Sequence, residues 1–263
     1  MGSFGVFIIG IPGQLRSSSL QNWVSNQSSF EVYFVEPVMA KFQDAPFFLK
    51  TYLTLHYAHK LTDGEWGCAI AHQRAQIFAK GLGLQHALFL EDDAEVESDF
   101  TKALTDALVK AAVVSHAPAV VHGYNYESYV TKAHGINEGL NTLVVTPIYA
   151  IAYIMNQAAL EMSIAASYKS FPVGKADFPS WSVSTSWFGL VHPLVIGHDT
   201  KTSIIGDRPI ASKERGLIRQ LLLLSIRLFL AIIPSPVRRD RAKWEINEFL
   251  LGSRVGRIFL NSK

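Results

Sequence analysis

Short apolar runs recur along the chain, each broken by Gly, Pro or a polar cluster. Phe4–Ile9 is continuous and apolar and predicts a first strand. Gly10-Ile11-Pro12-Gly13 breaks it, and Ser17-Ser18-Ser19 predicts the start of a helix to about Asn26. Residues 30–35 mix aromatics with valines and predict a second strand. The pattern over 37–63 is ambiguous, and Asp63-Gly64 closes that stretch. From Glu65 to Lys80 the apolar spacing turns helical, with Cys68, Ala71, Ala75 and Phe78 able to share a face, and Gly81 and Gly83 stop it.

Residues 87–90, Ala-Leu-Phe-Leu, predict a buried strand. Ser98 is the expected N-cap of a helix to about Val114. Further strands are expected at 118–122, 149–155 and 190–196, with a helix from Gln157 to about Ser167. Strands alternating with helices predict an α/β fold with parallel pairing. No internal repeat or low-complexity segment interrupts it.

The strand at 87–90 runs straight into six acidic side chains within nine residues: Glu91, Asp92, Asp93, Glu95, Glu97 and Asp99. Adjacent carboxylates repel and resist desolvation. A divalent cation relieves both, and oxygen ligands at a loop suit Mg²⁺ or Mn²⁺. Open α/β sheets bind ligands beyond the carboxyl ends of their strands. Glu91-Asp92-Asp93 is therefore the first place to look for chemistry. Glu95, Glu97 and Asp99 are expected to serve the following helix N-terminus.

At 263 residues, 49% hydrophobic and 17% charged, the chain has the composition of a globular protein with a sizeable core. Its single cysteine, Cys68, excludes an internal disulfide and fits a reducing compartment. The first residues lack the positive segment of a signal peptide, and Val6 departs from the myristoylation pattern. The net charge of +2 is uneven: residues 213–263 carry 11 Lys or Arg against 4 Asp or Glu, leaving residues 1–212 acidic. Within this tail, residues 217–233 are strongly apolar yet contain Arg219 and Arg227. As a helix that stretch spans roughly 25 Å, short of the ~30 Å hydrocarbon core. Arg215, Arg219, Gln220 and Arg227 fall in one sector of the wheel, which favours a helix lying in the membrane interface. The basic run 238–244, ending in Trp244, suits anionic head groups. The other reading of the tail is a packed helix closing the core. The expected division is 1–212 for the main domain and 213–263 for a basic amphipathic extension, with a membrane surface met through 215–250. Nothing points to nucleic acid.

Two local signatures stand out. Gly64-Glu65-Trp66-Gly67-Cys68-Ala69-Ile70-Ala71-His72 opens a helix, and Leu88-Phe89-Leu90-Glu91-Asp92-Asp93 follows some twenty residues later. Together they resemble the family 25 glycosyltransferases of lipooligosaccharide biosynthesis, with Ala71 where Ser is usual. Gly123-Tyr124, the segment 149–155, Ala176-Asp177-Phe178-Pro179, and the stretch from Pro193 to Ser203-Ile204-Ile205 are similar to later elements of that family. Gly10 to Arg16 departs from its usual first loop. The resemblance covers roughly 4–207.

The resemblance implies a GT-A-like nucleotide-sugar transferase domain with a Rossmann-like mixed sheet, followed here by C-terminal amphipathic basic helices. It implies hexose transfer, galactose from UDP-galactose with inversion, to a glycan acceptor. A metal held by carboxylates would neutralise the diphosphate leaving group. Glu91 and Asp93 are spaced like the Asp-x-Asp of metal-dependent transferases, with Asp93 the direct Mn²⁺ or Mg²⁺ ligand and Asp92 or Glu91 on the ribose. His198, near Asp199, is a third metal-ligand candidate or else an exposed loop histidine. Asp177, between apolar neighbours, is the candidate general base for the acceptor hydroxyl, or else caps the turn before Pro179. Glu65, Cys68 and His72 can face one way and border the donor site, or form a buried helix start with a satisfied histidine. Cys68 reads as core in preference to a thiol nucleophile. Trp181 and Trp187 stack on sugar in the acceptor cleft or simply pack. With the interfacial tail, the expected acceptor is lipid-linked, and the location peripheral at the cytoplasmic face of the cell membrane. Two rivals remain: another metal-dependent enzyme such as a phosphohydrolase, and a non-catalytic glycan-binding or membrane scaffold.

Overall fold

A computed structural model describes residues 3–57, 60–114, 117–124, 135–137, 139–143, 150–168, 171–172, 174, 176 and 185–198. Asp177, Trp181, Asp199, the stretch 203–205 and the whole basic tail lie outside the described residues.

Strand β1 (Phe4–Ile9) alternates cleanly: Val6 and Ile8 enter one core, Phe7 and Ile9 the other. Both faces are thus covered, which explains why the run is apolar throughout. Helix α1 (Ser18–Asn26) starts where Ser17 accepts the Leu20 N–H, and lays Leu20 and Trp23 on the first core. Strand β2 (Val32–Val35) pairs parallel with β1. The ambiguous stretch holds a 3₁₀ turn (Phe42–Asp44) and helix α2 (Phe47–Tyr57), which bury Phe42, Leu49 and Leu53 in a third cluster with Trp66 and Ile70.

Helix α3 (Asp63–Gly81) begins earlier than expected. Asp63-Gly64 lies inside its first turn, because Thr62 and Glu65 form a reciprocal capping box. Its small residues Ala71, Ala75 and Ala79 let it lie close on the second core. Gly67 permits a closer approach: a Cβ there would meet the Val38 carbonyl oxygen at 2.0 Å. Beyond the helix, Gly83 has φ +67°, the left-handed turn that favours glycine.

Strand β3 (His86–Glu91) pairs parallel with β1 on the side away from β2, with Ile9 opposite Glu91. A short strand β4 (Ala94–Val96) follows, burying Ala94 and Val96 and exposing Glu95. Glu95 is therefore a strand residue, a correction to the expectation that it serves the next helix. That helix, α4 (Phe100–Val113), is entered at Asp99 and not at Ser98. Strand β5 (Ala119–His122) follows, then β6 (Gly135–Asn137), β7 (Leu140–Thr142), β8 (Ala152–Asn156) and helix α5 (Gln157–Ala165), capped by Asn156.

The single strand expected at 190–196 is two: β9 (Ser186–Leu190) and β10 (Val195–His198). Pro193 lies in the gap and has no N–H for a ladder. The backbone there turns inward, and Leu194 and Val195 both donate to the Gly123 carbonyl.

Among the described residues, one eight-stranded sheet has the order β2-β1-β3-β8-β5-β9-β7-β6, and β4 pairs with β10 in a second small sheet. β1, β2, β3, β5 and β9 run one way, and β7 and β8 run against them, so the sheet is mixed and not purely parallel. Helices α1 and α4 cover one face, α3 and α5 the other. From β1 the chain passes to β2 on one side, then returns past β1 to β3 on the other. The carboxyl ends of β1 and β3 thus flank a topological switch point, where such sheets open a crevice.

Candidate functional site

Three acidic residues leave β3 at that crevice and diverge. Glu91 turns toward α3, where its Oε1 accepts from Cys68 Sγ at 3.7 Å and lies 3.2 Å from His72 Nε2. Asp92 turns toward the loop after β1, where Arg16 Nε and Nη2 donate to its Oδ1 at 2.9 and 2.5 Å. Asp93 is 5% exposed, and its Oδ2 lies 3.2 Å from Arg16 Nη2. Its Oδ1 is buried without a hydrogen-bond partner among the described residues.

The turn is braced from the β1 side. The Asp92 carbonyl accepts from the Ser17 backbone N–H at 2.9 Å, and Ser19 Oγ accepts from the Val96 N–H at 2.9 Å. Gly10 leaves room for it, since a Cβ there would meet Asp92 Cβ at 2.7 Å and Leu15 Cδ2 at 2.9 Å. The departure of this loop from the family pattern thus still supplies a cation, Arg16, to the acids. Sequence reasoning quoted Arg16 only as part of an altered loop. The signal for it was the unbalanced acid cluster one strand away.

The electrostatics separate the acids. Burial raises the Asp93 carboxyl, the Glu91 and Asp92 charges add to it, and Arg16 only partly offsets them, so it is pushed up to about 7. Burial also opposes ionisation of Glu91, but the hydrogen bond from His72, the Arg16 charge and the Cys68 bond outweigh it, and that carboxyl moves below its usual range. Asp93 is the acid at which an added cation would relieve most strain.

Behind Glu91 stands a buried relay. Gln76 Nε2 donates to the Tyr153 hydroxyl at 3.1 Å, and that hydroxyl lies 2.8 Å from His72 Nδ1. With Gln76 donating, the Tyr153 proton is directed to Nδ1, so Nε2 carries the hydrogen and gives it to Glu91. Burial raises the Tyr153 phenol far above its usual range, which keeps that proton in place. The ring stacks on His72 and Phe89 at centroid distances of 5.6 and 5.0 Å. Neither Gln76 nor Tyr153 was visible as a site residue in the sequence, because Tyr153 lies 77 positions from Gln76 and 81 from His72.

Asp177 lies outside the described residues, and the remaining expected site residues each have a definite place. Glu65 does not share the outlook of Cys68 and His72, because its carboxylate turns back to the Thr62 N–H at 2.9 Å to close the capping box. Ala71, in place of the usual Ser, is core. His198 lies opposite Ala94 on the β4–β10 ladder, one residue beyond Asp93, with its ring edge-on to Tyr124 at 5.6 Å. Trp187 packs against the second core. His122, at the end of β5, is 1% exposed and neither ring nitrogen has a hydrogen-bond partner among the described residues. Burial lowers it to about 3, so it is held neutral.

Asp93 alone offers a cation a buried carboxylate oxygen without a partner among the described residues; Asp93, Glu91 and His198 are not gathered into one ligand set, whereas ligand atoms of Cys68, His72 and Glu91 are. No described helix is long and apolar enough to cross a membrane. A family model described as "Glycosyltransferase family 25 (LPS biosynthesis protein)" matches residues 6–174, which takes in the crevice and both of its signatures. No curated protein matches the chain.

Proposed function

The chain belongs to glycosyltransferase family 25, and from that premise we propose that it moves a hexose, galactose from UDP-galactose with inversion, onto a glycan acceptor of lipooligosaccharide type. The fold in this reading is GT-A-like. The observation that carries it is Asp93, whose buried Oδ1 has no hydrogen-bond partner among the described residues, at the carboxyl end of a central strand.

Asp93 would hold Mn²⁺ or Mg²⁺, with His198 and the free side of Glu91 as further ligands. When bound, such a cation supplies charge neutralisation for the departing diphosphate. The protein's own residues do the rest. Arg16 fixes Asp92, which faces the ribose, and keeps the acid turn from springing apart. His72 and Tyr153 fix Glu91. Asp177 would be the base that takes the acceptor proton. The basic tail would hold the enzyme at the cytoplasmic face of the cell membrane, beside a lipid-linked acceptor.

The test is a donor screen that scores nucleotide release from several UDP-sugars, with Mn²⁺ present or chelated. Acceptor-dependent release from one donor, lost on chelation and in Asp93→Ala, is expected. Phosphate release that ignores the acceptor would make the chain a phosphohydrolase instead. No turnover with any donor and indifference to Asp93→Ala would make it a scaffold. Liposome flotation with and without residues 215–263 tests the tail, and equal partitioning would end the membrane reading.

A further inference from the structure

A second cluster stands beside the donor crevice, built of different atoms. Cys68 and His72 lie one turn apart on α3, and Glu91 reaches them from β3. One sulfur, one imidazole nitrogen and one carboxylate oxygen come within 4.8 Å of one another. We propose that Cys68, His72 and Glu91 form a binding site for a thiophilic divalent cation of the Zn²⁺ class, beside the oxygen-rich position at Asp93 and sharing only Glu91 with it.

The spacing carries the proposal. A tetrahedral zinc with ordinary bond lengths sets its sulfur and oxygen ligands roughly 3.6 Å apart, and its nitrogen and oxygen ligands roughly 3.4 Å apart. The observed separations from Glu91 Oε1 are 3.7 Å to Cys68 Sγ and 3.2 Å to His72 Nε2. Two of the three separations already match those such an ion requires, and the third pair lies within 4.8 Å, so modest side-chain adjustment admits it. Three protein ligands leave a fourth corner for water.

The surroundings complete the case. Metal-bound histidines hand their other ring N–H to a fixed partner. When Nε2 gives up its hydrogen to ligate, Nδ1–H can donate to the Tyr153 oxygen, 2.8 Å away, which Gln76 holds in place. A thiolate and a carboxylate balance the ion's two charges. Sulfur and imidazole select against Mg²⁺ and Mn²⁺, so the two positions prefer different metals. The side chains of His72 and Glu91 are 3% and 18% exposed, so an ion enters from the Glu91 side.

The chain has one cysteine, which makes the test unambiguous. Co²⁺ alone is titrated into the full-length metal-free protein. A near-ultraviolet thiolate-to-cobalt absorption band is expected at one equivalent, displaced by Zn²⁺, absent in Cys68→Ser and kept in Asp93→Asn. No band at saturating Co²⁺, or a band that persists in Cys68→Ser, overturns the proposal. Should Cys68→Ser fail to fold, alkylation of the unmodified protein decides: Zn²⁺ should slow iodoacetamide at Cys68 at least tenfold while Mn²⁺ does not, and an unchanged rate sinks the site. Both readouts are independent of what the enzyme transfers, so failure of the donor reading would leave them standing.

Discussion

Arg16 closes two of its nitrogens on a single oxygen of Asp92, Nε at 2.9 Å and Nη2 at 2.5 Å, across 76 positions of sequence. The pair is only 22% and 15% exposed, so solvent screens it weakly. Arg16→Gln should therefore destabilise the fold by about 1–3 kcal/mol, since it leaves two neighbouring carboxylates without their cation. Mn²⁺ should restore part of that loss by taking the guanidinium's place. Urea unfolding with and without Mn²⁺ measures both, and a variant as stable as the parent would show that the pair contributes nothing.

Tyr153→Phe removes one oxygen and unpairs two buried groups, His72 Nδ1 and Gln76 Nε2. The expected loss is about 1–3 kcal/mol in urea or thermal unfolding. Glu91 loses its fixed donor at the same time, so turnover should fall further than stability alone explains. Tyr153→Phe with full turnover at a temperature where it is folded would remove Glu91 positioning from the account.

Two buried groups give stability opposite slopes with pH. Asp93 rises from 3.8 to about 7 on folding, so between those values the folded state binds more protons and stability falls as pH rises. His122 drops from 6.5 to about 3, so between those values the unfolded state binds more and stability increases with pH. Each slope is at most roughly 1.4 kcal/mol per pH unit. Over the window from 3.8 to 6.5 they oppose one another. Relative to the parent, Asp93→Asn should tilt the curve upward with pH and His122→Leu should tilt it downward. Denaturation midpoints at several pH values check this, and identical tilts in the two variants would refute it.

Two glycines test close approach. Gly67→Ala drives a methyl into the Val38 backbone carbonyl, and backbone cannot step aside as a side chain can. Its cost should reach several kcal/mol, visible as a large fall in Tm. Gly10→Ala meets the flexible end of Leu15 but also Asp92 Cβ, which moves only with its backbone, so it should displace the acid turn at a smaller cost in stability than Gly67→Ala. Its mark should be weaker nucleotide binding in a calorimetric titration.

Much of this was legible in the chain. Phe4–Ile9 was read with its bounds intact, because a strand buried on both faces is apolar throughout and ends at a Gly-Ile-Pro-Gly break. Glu91, Asp92 and Asp93 were singled out together because adjacent carboxylates at a strand end repel and resist desolvation. Helix α2 was missed since its exposed Phe47 and Phe48 blur the apolar stripe. Strand β4 was hidden by Glu95, which looks like a helix-start residue until β10 supplies a partner. The relay through Gln76, Tyr153 and His72 could not be read at all, for it depends on β8 running antiparallel beside β3, a pairing between strands far apart in the chain.

The small β4–β10 sheet sets an order of events for synthesis. Its two strands lie about a hundred positions apart, with Ala94 opposite His198. A ribosome delivers the acid turn, Arg16 and α3 long before it delivers β10. Until residue 198 emerges, the turn is walled on the β1 side alone, and the Gly123 carbonyl awaits the two N–H groups that will fasten the returning strand. Nascent chains halted before that point should be open to protease at 94–96, and the crevice is walled on both sides only once β10 has been made.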